Sequence, residues 1–180
     1  MCTPVGHSLA GAILVRTSRF PFLWTDWKSI LGLLFVSNLP DIDILFGWID
    51  GNPNQYHQGA THSLIFIGMA SLVLGSIYAL FHRGRGFQAG YLIFGILAVH
   101  LLCDMLGNDT CPPIGIPLFW PLNDMHIHSP VSLFGGVNRA ADSRHFIGSL
   151  FCRHNAWVVL REIIMMGAVF AGIRMIGKRR

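Results

Sequence analysis

Charge is what this sequence has least of. Only 12% of its 180 residues are Asp, Glu, Lys or Arg, about half the roughly 25% of an ordinary soluble domain. The hydrophobic fraction is 52% and the mean hydropathy +0.51, so the missing polar surface points to lipid rather than to a larger core. Cysteine is scarce too. Cys2, Cys103, Cys111 and Cys152 form no Cys-x-x-Cys pair, so a thiolate zinc site is not expected. Cys103 lies in an apolar run and reads as a small hydrophobe, while Cys111 and Cys152 fall in one polar stretch and are candidates to pair if it is oxidising. There is no Gly-x-Ser-x-Gly and no Gly-rich phosphate loop, which leaves serine-hydrolase and nucleotide chemistry without support. No internal repeat is visible, and Met1–His7 lacks the basic region and cleavage site of a signal peptide. Acidic residues number 9 against 13 basic ones, for a net charge of +4. The basic residues cluster beside apolar runs, which fits a membrane topology signal better than nucleic-acid binding.

What is there is grease in blocks. Residues 63–81 carry no charge and are long enough to cross a bilayer. Residues 88–106 and 156–176 are the second and third candidate spans. Gly68, Ser71, Gly75 and Ala79, and the pairs Gly167/Ala171 and Ala168/Gly172, have the spacing by which membrane helices pack closely. Two shorter apolar pieces, 8–15 and 30–37, read as an N-terminal helical hairpin, with Pro21 marking a break and Trp24, Trp27 and Lys28 an interfacial composition. Residues 107–155 are rich in Gly, Pro, Asn and His and read as a long excursion. The expectation is one all-α, polytopic membrane domain over residues 1–180, with about three spanning helices plus the short hairpin. Threaded as alternating crossings, the chain puts Arg16, Arg19, Lys28, Arg83, Arg85, Arg174, Lys178, Arg179 and Arg180 on one side. The positive-inside rule makes that side cytoplasmic.

The opposite side collects the chemistry. Asn38-Leu39-Pro40-Asp41-Ile42-Asp43 is followed by His57 and by Thr61-His62-Ser63. His100 and Asp104, at i and i+4, share a helix face near the same end of the second span. Ionisable groups in an apolar helix are costly unless paired or bound. Asp and His are ordinary ligands of zinc and related ions. Carboxylates after a helix C-terminus are disfavoured by its dipole, and a cation would compensate Asp41 and Asp43, although capping of the next helix would also explain them. Which of His57 and His62 ligates is left open. His7 opens a short apolar helix on the same side. His126 and His128 read as solvent-facing, His145 and His154 as surface residues, and His82, among the basic residues, as a bystander. Arg161 and Glu162 read as ion-pairing groups at the start of the third span.

Gly6-His7, Leu39-Pro40-Asp41-Ile42-Asp43, Thr61-His62-Ser63, His100-x-x-x-Asp104 and Pro117-Leu118-Phe119, in this order, resemble the inner-membrane metal-dependent hydrolases, some of them labelled LexA-binding. More distantly, the order His, Asp, His, His-x-x-x-Asp is similar to the zinc-dependent phospholipase C and single-strand nuclease superfamily. That likeness implies His7, Asp43, His57 or His62, His100 and Asp104 as metal ligands and a phosphoester substrate. The superfamily's later His-x-x-x-Glu and N-terminal tryptophan are absent here, so one or two ions are expected. The resulting expectation is a multi-pass inner-membrane hydrolase with divalent metal, zinc by preference, acting on a lipid, lipid-linked or small-molecule substrate. Asp41 would be the proton acceptor. The alternative is a membrane protein that binds or moves a metal without hydrolysis.

Overall fold

Thr3 starts the first helix. Its hydroxyl accepts the Gly6 N–H at 3.2 Å and Pro4 takes the first helical position, where its missing N–H costs nothing. The computed structural model describes residues 1–18, 26–109 and 112–177. Within them, α1 spans Pro4–Thr17 and α2 spans Trp27–Ser37, the latter capped by Asp26 accepting the Ser29 N–H at 2.9 Å. Pro40 then forces a 3-10 turn, Pro40–Ile42, which leads into α3, Asp43–Ile49, with a bend of 69° between the two arms. A second 3-10 turn, Ala60–His62, ends at Ser63, whose hydroxyl accepts the Phe66 N–H at 3.2 Å and caps α4, Leu64–Phe81. α5 is Gly86–Met105, α6 Ser143–Leu150 and α7 Arg153–Gly177. Among the described residues no strand forms; two isolated bridges, Gly107–Phe134 and Ile116–Ile127, pin the excursion. Arg19, Pro21, Trp24, Cys111 and Lys178–Arg180 lie outside the described residues.

Three helices, α4, α5 and α7, are long and apolar enough to cross a membrane. The 18 residues of α4 rise about 27 Å at 1.5 Å each, close to a hydrocarbon core. Leu72, Leu80 and Phe81 stay exposed on it, as do Phe87 on α5 and Ile176 on α7. Apolar surface on this scale is not left to water; lipid covers it.

α5 is the centre, packed against α4, α1 and α2, while α7 lies on α1. The α4–α5 hairpin closes through small residues. A Cβ on Gly75 would sit 2.8 Å from Gly90 Cα, and one on Gly86 would sit 2.6 Å from Ala79 Cβ, so neither glycine tolerates a larger residue without a shift. Gly68, in the same expected stripe, meets nothing, and neither do Gly167 and Gly172 of α7; small spacing there does not mark a helix contact. Apolar clusters around Val15, Leu33, Leu92 and Ile96, and around Ile67, Leu97, Leu101 and Ile116, fill the rest of the bundle.

The excursion is a lid rather than a tether. Leu118 C=O accepts the first N–H of α4 at 2.9 Å, Leu106 C=O accepts from Leu133 N–H at 2.8 Å, and Ser129 N–H donates to Met105 C=O at 3.0 Å. The Asn155 side chain clasps both backbone groups of Asn138. Gly115, at φ +93°, is required where a Cβ would lie 2.6 Å from Ile127 C=O. These bonds draw residues 115–134 across the ends of α4 and α5 where His62, His100 and Asp104 sit. Neither Arg161 nor Glu162 makes the ion pair to a neighbouring helix expected of it, among the described residues. Buried, Glu162 accepts the Thr3 N–H at 2.9 Å and the Thr3 hydroxyl, while Arg161 reaches Leu133 C=O at 2.9 Å. α1 passes α7 so closely at Gly6 that a Cβ there would lie 2.6 Å from Glu162 Oε2, which brings the Thr3 cap to the carboxylate.

Candidate metal site

The largest fully buried side chains include His7, His62, His100, Asp104 and Glu162. Ionisable groups thus share the interior with Ile67, Leu97 and Ile116. Four of the sequence-derived candidates converge. His62 Nε2 lies 3.3 Å from Asp104 Oδ2, 3.5 Å from Asp41 Oδ1 and 3.4 Å from His100 Nε2. His100 Nε2 lies 3.4 Å from Asp104 Oδ2 and 3.6 Å from Asp41 Oδ1. Asp41, His62, His100 and Asp104 thus present one donor atom each to a common centre and could hold a metal ion. Both oxygens of Asp41 and Oδ2 of Asp104 have no hydrogen-bond partner although buried. Buried polar atoms left unpaired are costly, and a cation at the centre would satisfy Asp41 Oδ1 and Asp104 Oδ2.

Each ligand is held from behind. His100 Nδ1–H donates to the Ser37 C=O at the end of α2, at 2.7 Å, which fixes the tautomer and leaves Nε2 for a metal. Asp43 lies behind two imidazoles: its Oδ1 is 2.9 Å from His57 Nδ1 and its Oδ2 is 3.3 Å from His62 Nδ1. The Thr61 hydroxyl donates to Asp43 Oδ2 at 2.7 Å. His57 stands beside the group of four, with Nε2 3.0 Å from Met1 Sδ. His7 stacks on His100 with ring centroids 3.7 Å apart, and its Nε2 is 3.3 Å from Asp104 Oδ1. So Asp41, read from the sequence as a proton acceptor, is in the group of four, whereas Asp43 and His57, read as ligands, are one layer out. The Ser37 carbonyl gave no signal in the sequence; Thr61 did, as the neighbour of His62.

Among the described residues, every ion pair these three carboxylates make is to a histidine. Burial would push the His62 pKa down; hydrogen bonding to Asp104, Asp41 and Asp43 outweighs it and holds the imidazole well above the ordinary histidine value. A proton and a metal therefore compete for the same nitrogen. A cavity of about 650 Å³ opens beside this layer, lined by Asp43, Phe46, Ile49, Tyr56, His57 and Thr61 among others. His126 lines it too. His82 is exposed and stacks on Tyr78 at 4.2 Å, far from the group at the other end of α4.

These features define a multi-pass, all-helical membrane protein with a His/Asp group at one end of its bundle. The model of the YdjM inner membrane protein family matches residues 1–179, and the chain belongs to that family. No curated protein and no solved structure matches it, so the likeness to the phospholipase C and nuclease superfamily rests on the motif order alone.

Proposed function

We propose that the protein is a membrane-embedded, metal-dependent hydrolase that cleaves a phosphoester of a lipid or lipid-linked substrate at the non-cytoplasmic face. The observation that carries this reading is the shape of the four-donor group. Five of its six edges run from 3.3 to 3.6 Å. A regular tetrahedron of edge about 3.4 Å has vertices about 2.1 Å from its centre, which is the zinc-to-nitrogen and zinc-to-oxygen distance. For a divalent ion held there, a water or phosphoryl oxygen would take a fifth position beside the four protein donors, where the ion would supply Lewis-acid polarisation and lower the pKa of the water toward about 7.

The chain's own residues supply the rest. Asp41 is the member of the group nearest the solvent, with 9% of its side chain exposed against 0% for His62 and Asp104. Its second oxygen, unbonded in the protein, is placed to accept a proton from an attacking water. The adjoining cavity offers Tyr56 and His57 to a polar head and Phe46 and Ile49 to an apolar one. Its place beside the start of α4 suits a substrate entering from the lipid. The donors sit in one layer rather than along a path through the bilayer, which favours hydrolysis over metal conduction.

The test is turnover. Protein reconstituted in nanodiscs with zinc should hydrolyse a phosphodiester or phospholipid head group and stop on chelation. Absence of metal-dependent turnover across a phosphatase, phosphodiesterase and lipase panel would sink the reading. The face is tested separately: a cysteine at Arg85 should resist an impermeant thiol reagent in intact cells and one at Asn138 should react, whereas the reverse would place the site in the cytoplasm.

A further inference from the structure

A second group of metal-ligating side chains lies against the first. Cys2 precedes α1, His7 is one turn into it, and Cys103 is the neighbour of Asp104 on α5. All three are buried, and their sulfur and nitrogen ligand atoms lie within 4.8 Å of one another. The two thiols alone could be read as small hydrophobes. His7 cannot be read that way. It is 1% exposed, and neither ring nitrogen has a hydrogen-bond partner. An imidazole has at least one donor and one acceptor to satisfy in its neutral form; here Nε2 has only an ion-pair contact with Asp104 and Nδ1 makes no hydrogen bond, which is unfavourable in the interior.

Asp104 is the wall between the two groups. Its Oδ2 faces His62 and His100. Its Oδ1 faces the other way, 3.3 Å from His7 Nε2, and accepts the Cys2 N–H at 3.1 Å. One carboxylate thus addresses two neighbouring centres, as in paired-metal sites.

We propose that Cys2, His7 and Cys103 form a second, thiolate-rich site for a borderline-soft divalent ion of the zinc class, with Asp104 shared between it and the first. Two sulfurs and one nitrogen suit that class, and a Cys₂His set is a known zinc environment that leaves one position open. Binding releases the two thiol protons to solvent. This site is independent of whether the group of four catalyses hydrolysis.

Cobalt(II) reports on it, because thiolate ligands give an intense near-ultraviolet charge-transfer band that nitrogen and oxygen ligands do not. Full-length reduced protein, purified anaerobically in detergent and loaded with cobalt, should show that band. Cys2→Ser/Cys103→Ser should lose it and bind one metal equivalent fewer. Cys111→Ser/Cys152→Ser should keep it, and so should His62→Ala, which strikes only the first group; this separates failure of the second site from failure of the first. Should the double serine variant misfold by circular dichroism, Cys103→Ala alone should weaken the band. Absence of the band from the wild-type protein would overturn the proposal, as would its persistence in a folded Cys2→Ser/Cys103→Ser variant. So would a Cys2–Cys103 disulfide mapped in protein alkylated directly in cells.

Discussion

His62 and His82 stand at opposite ends of the same helix, α4, and share almost nothing else. His62 has no exposed surface and sits among Asp41, Asp43 and Asp104. His82 is exposed and stacked on Tyr78, with no carboxylate paired to it among the described residues. Both follow from one sequence fact, a histidine flanking an uncharged run. What separates them is what α5 carries to each end. At one end it brings Gly86 and Gly90, which let the helices close but offer no ligand. At the other it brings His100 and Asp104, and the bend after α2 brings Asp41. A histidine at a membrane helix end becomes a ligand only where the fold supplies the carboxylates.

The contrast is broken most strongly by deletion. His100→Ala would take one imidazole from each of Asp104 and Asp41, leaving both to His62; removing one member of a buried charged network costs about 3–5 kcal/mol. His82→Ala should change stability by about 0.5 kcal/mol or less. Unfolding in detergent with urea, with and without chelator, checks both. Metal should stabilise the wild type and the His82 variant more than the His100 variant; equal responses from all three would remove the distinction.

The two aspartates sharpen the comparison at closer range. Asp41→Asn keeps three donors, so it should retain metal at modestly reduced affinity while activity falls about 100-fold or more, the usual scale for loss of a general base. Asp43→Asn loosens His57 and His62 from behind. Its metal affinity should fall about 10–100-fold, and excess metal should restore its activity. Steady-state turnover against free zinc separates the two; rescue of Asp41→Asn by metal would make Asp41 a ligand only and leave the proton acceptor unassigned. A smaller step is Thr61→Val, which removes the hydroxyl that donates to Asp43 at 2.7 Å. About a tenfold loss of zinc affinity is expected, and no loss would show that Asp43 holds the histidines unaided. Smaller again is the response to pH. Because hydrogen bonding to Asp104, Asp41 and Asp43 holds the metal-free His62 well above the ordinary histidine range, zinc affinity should rise with increasing pH as the proton is lost. Competition titrations across pH read it directly, and a flat profile would contradict proton displacement.

How much of this could be read from the chain depended on range. The spans emerged within a few residues of α4, α5 and α7, because long uncharged runs have one physical use. The convergence of His62, His100 and Asp104 was legible from a helical i, i+4 pair and a shared membrane face. The choice between Asp41 and Asp43 was not. They are two residues apart across a 3-10 turn that runs into a helix, so they point in different directions, and only the bend shows which one turns inward. Nor did the small-residue spacing of α7 find a partner, since spacing does not say whether a helix faces protein or lipid. Cys2, His7 and Cys103 were the least legible: the contact joins α1 to the last turn of α5, and no local pattern marks it.

The central claim is that Asp41, His62, His100 and Asp104 hold one metal ion. Its most direct measurement is the metal content of purified protein after loading with zinc and removal of free ion, for the wild type, His82→Ala and His62→Ala/His100→Ala. The account predicts the same content in the first two and one equivalent fewer in the third. A wild-type protein that retains no metal, or a folded double variant that retains the full complement, would contradict it.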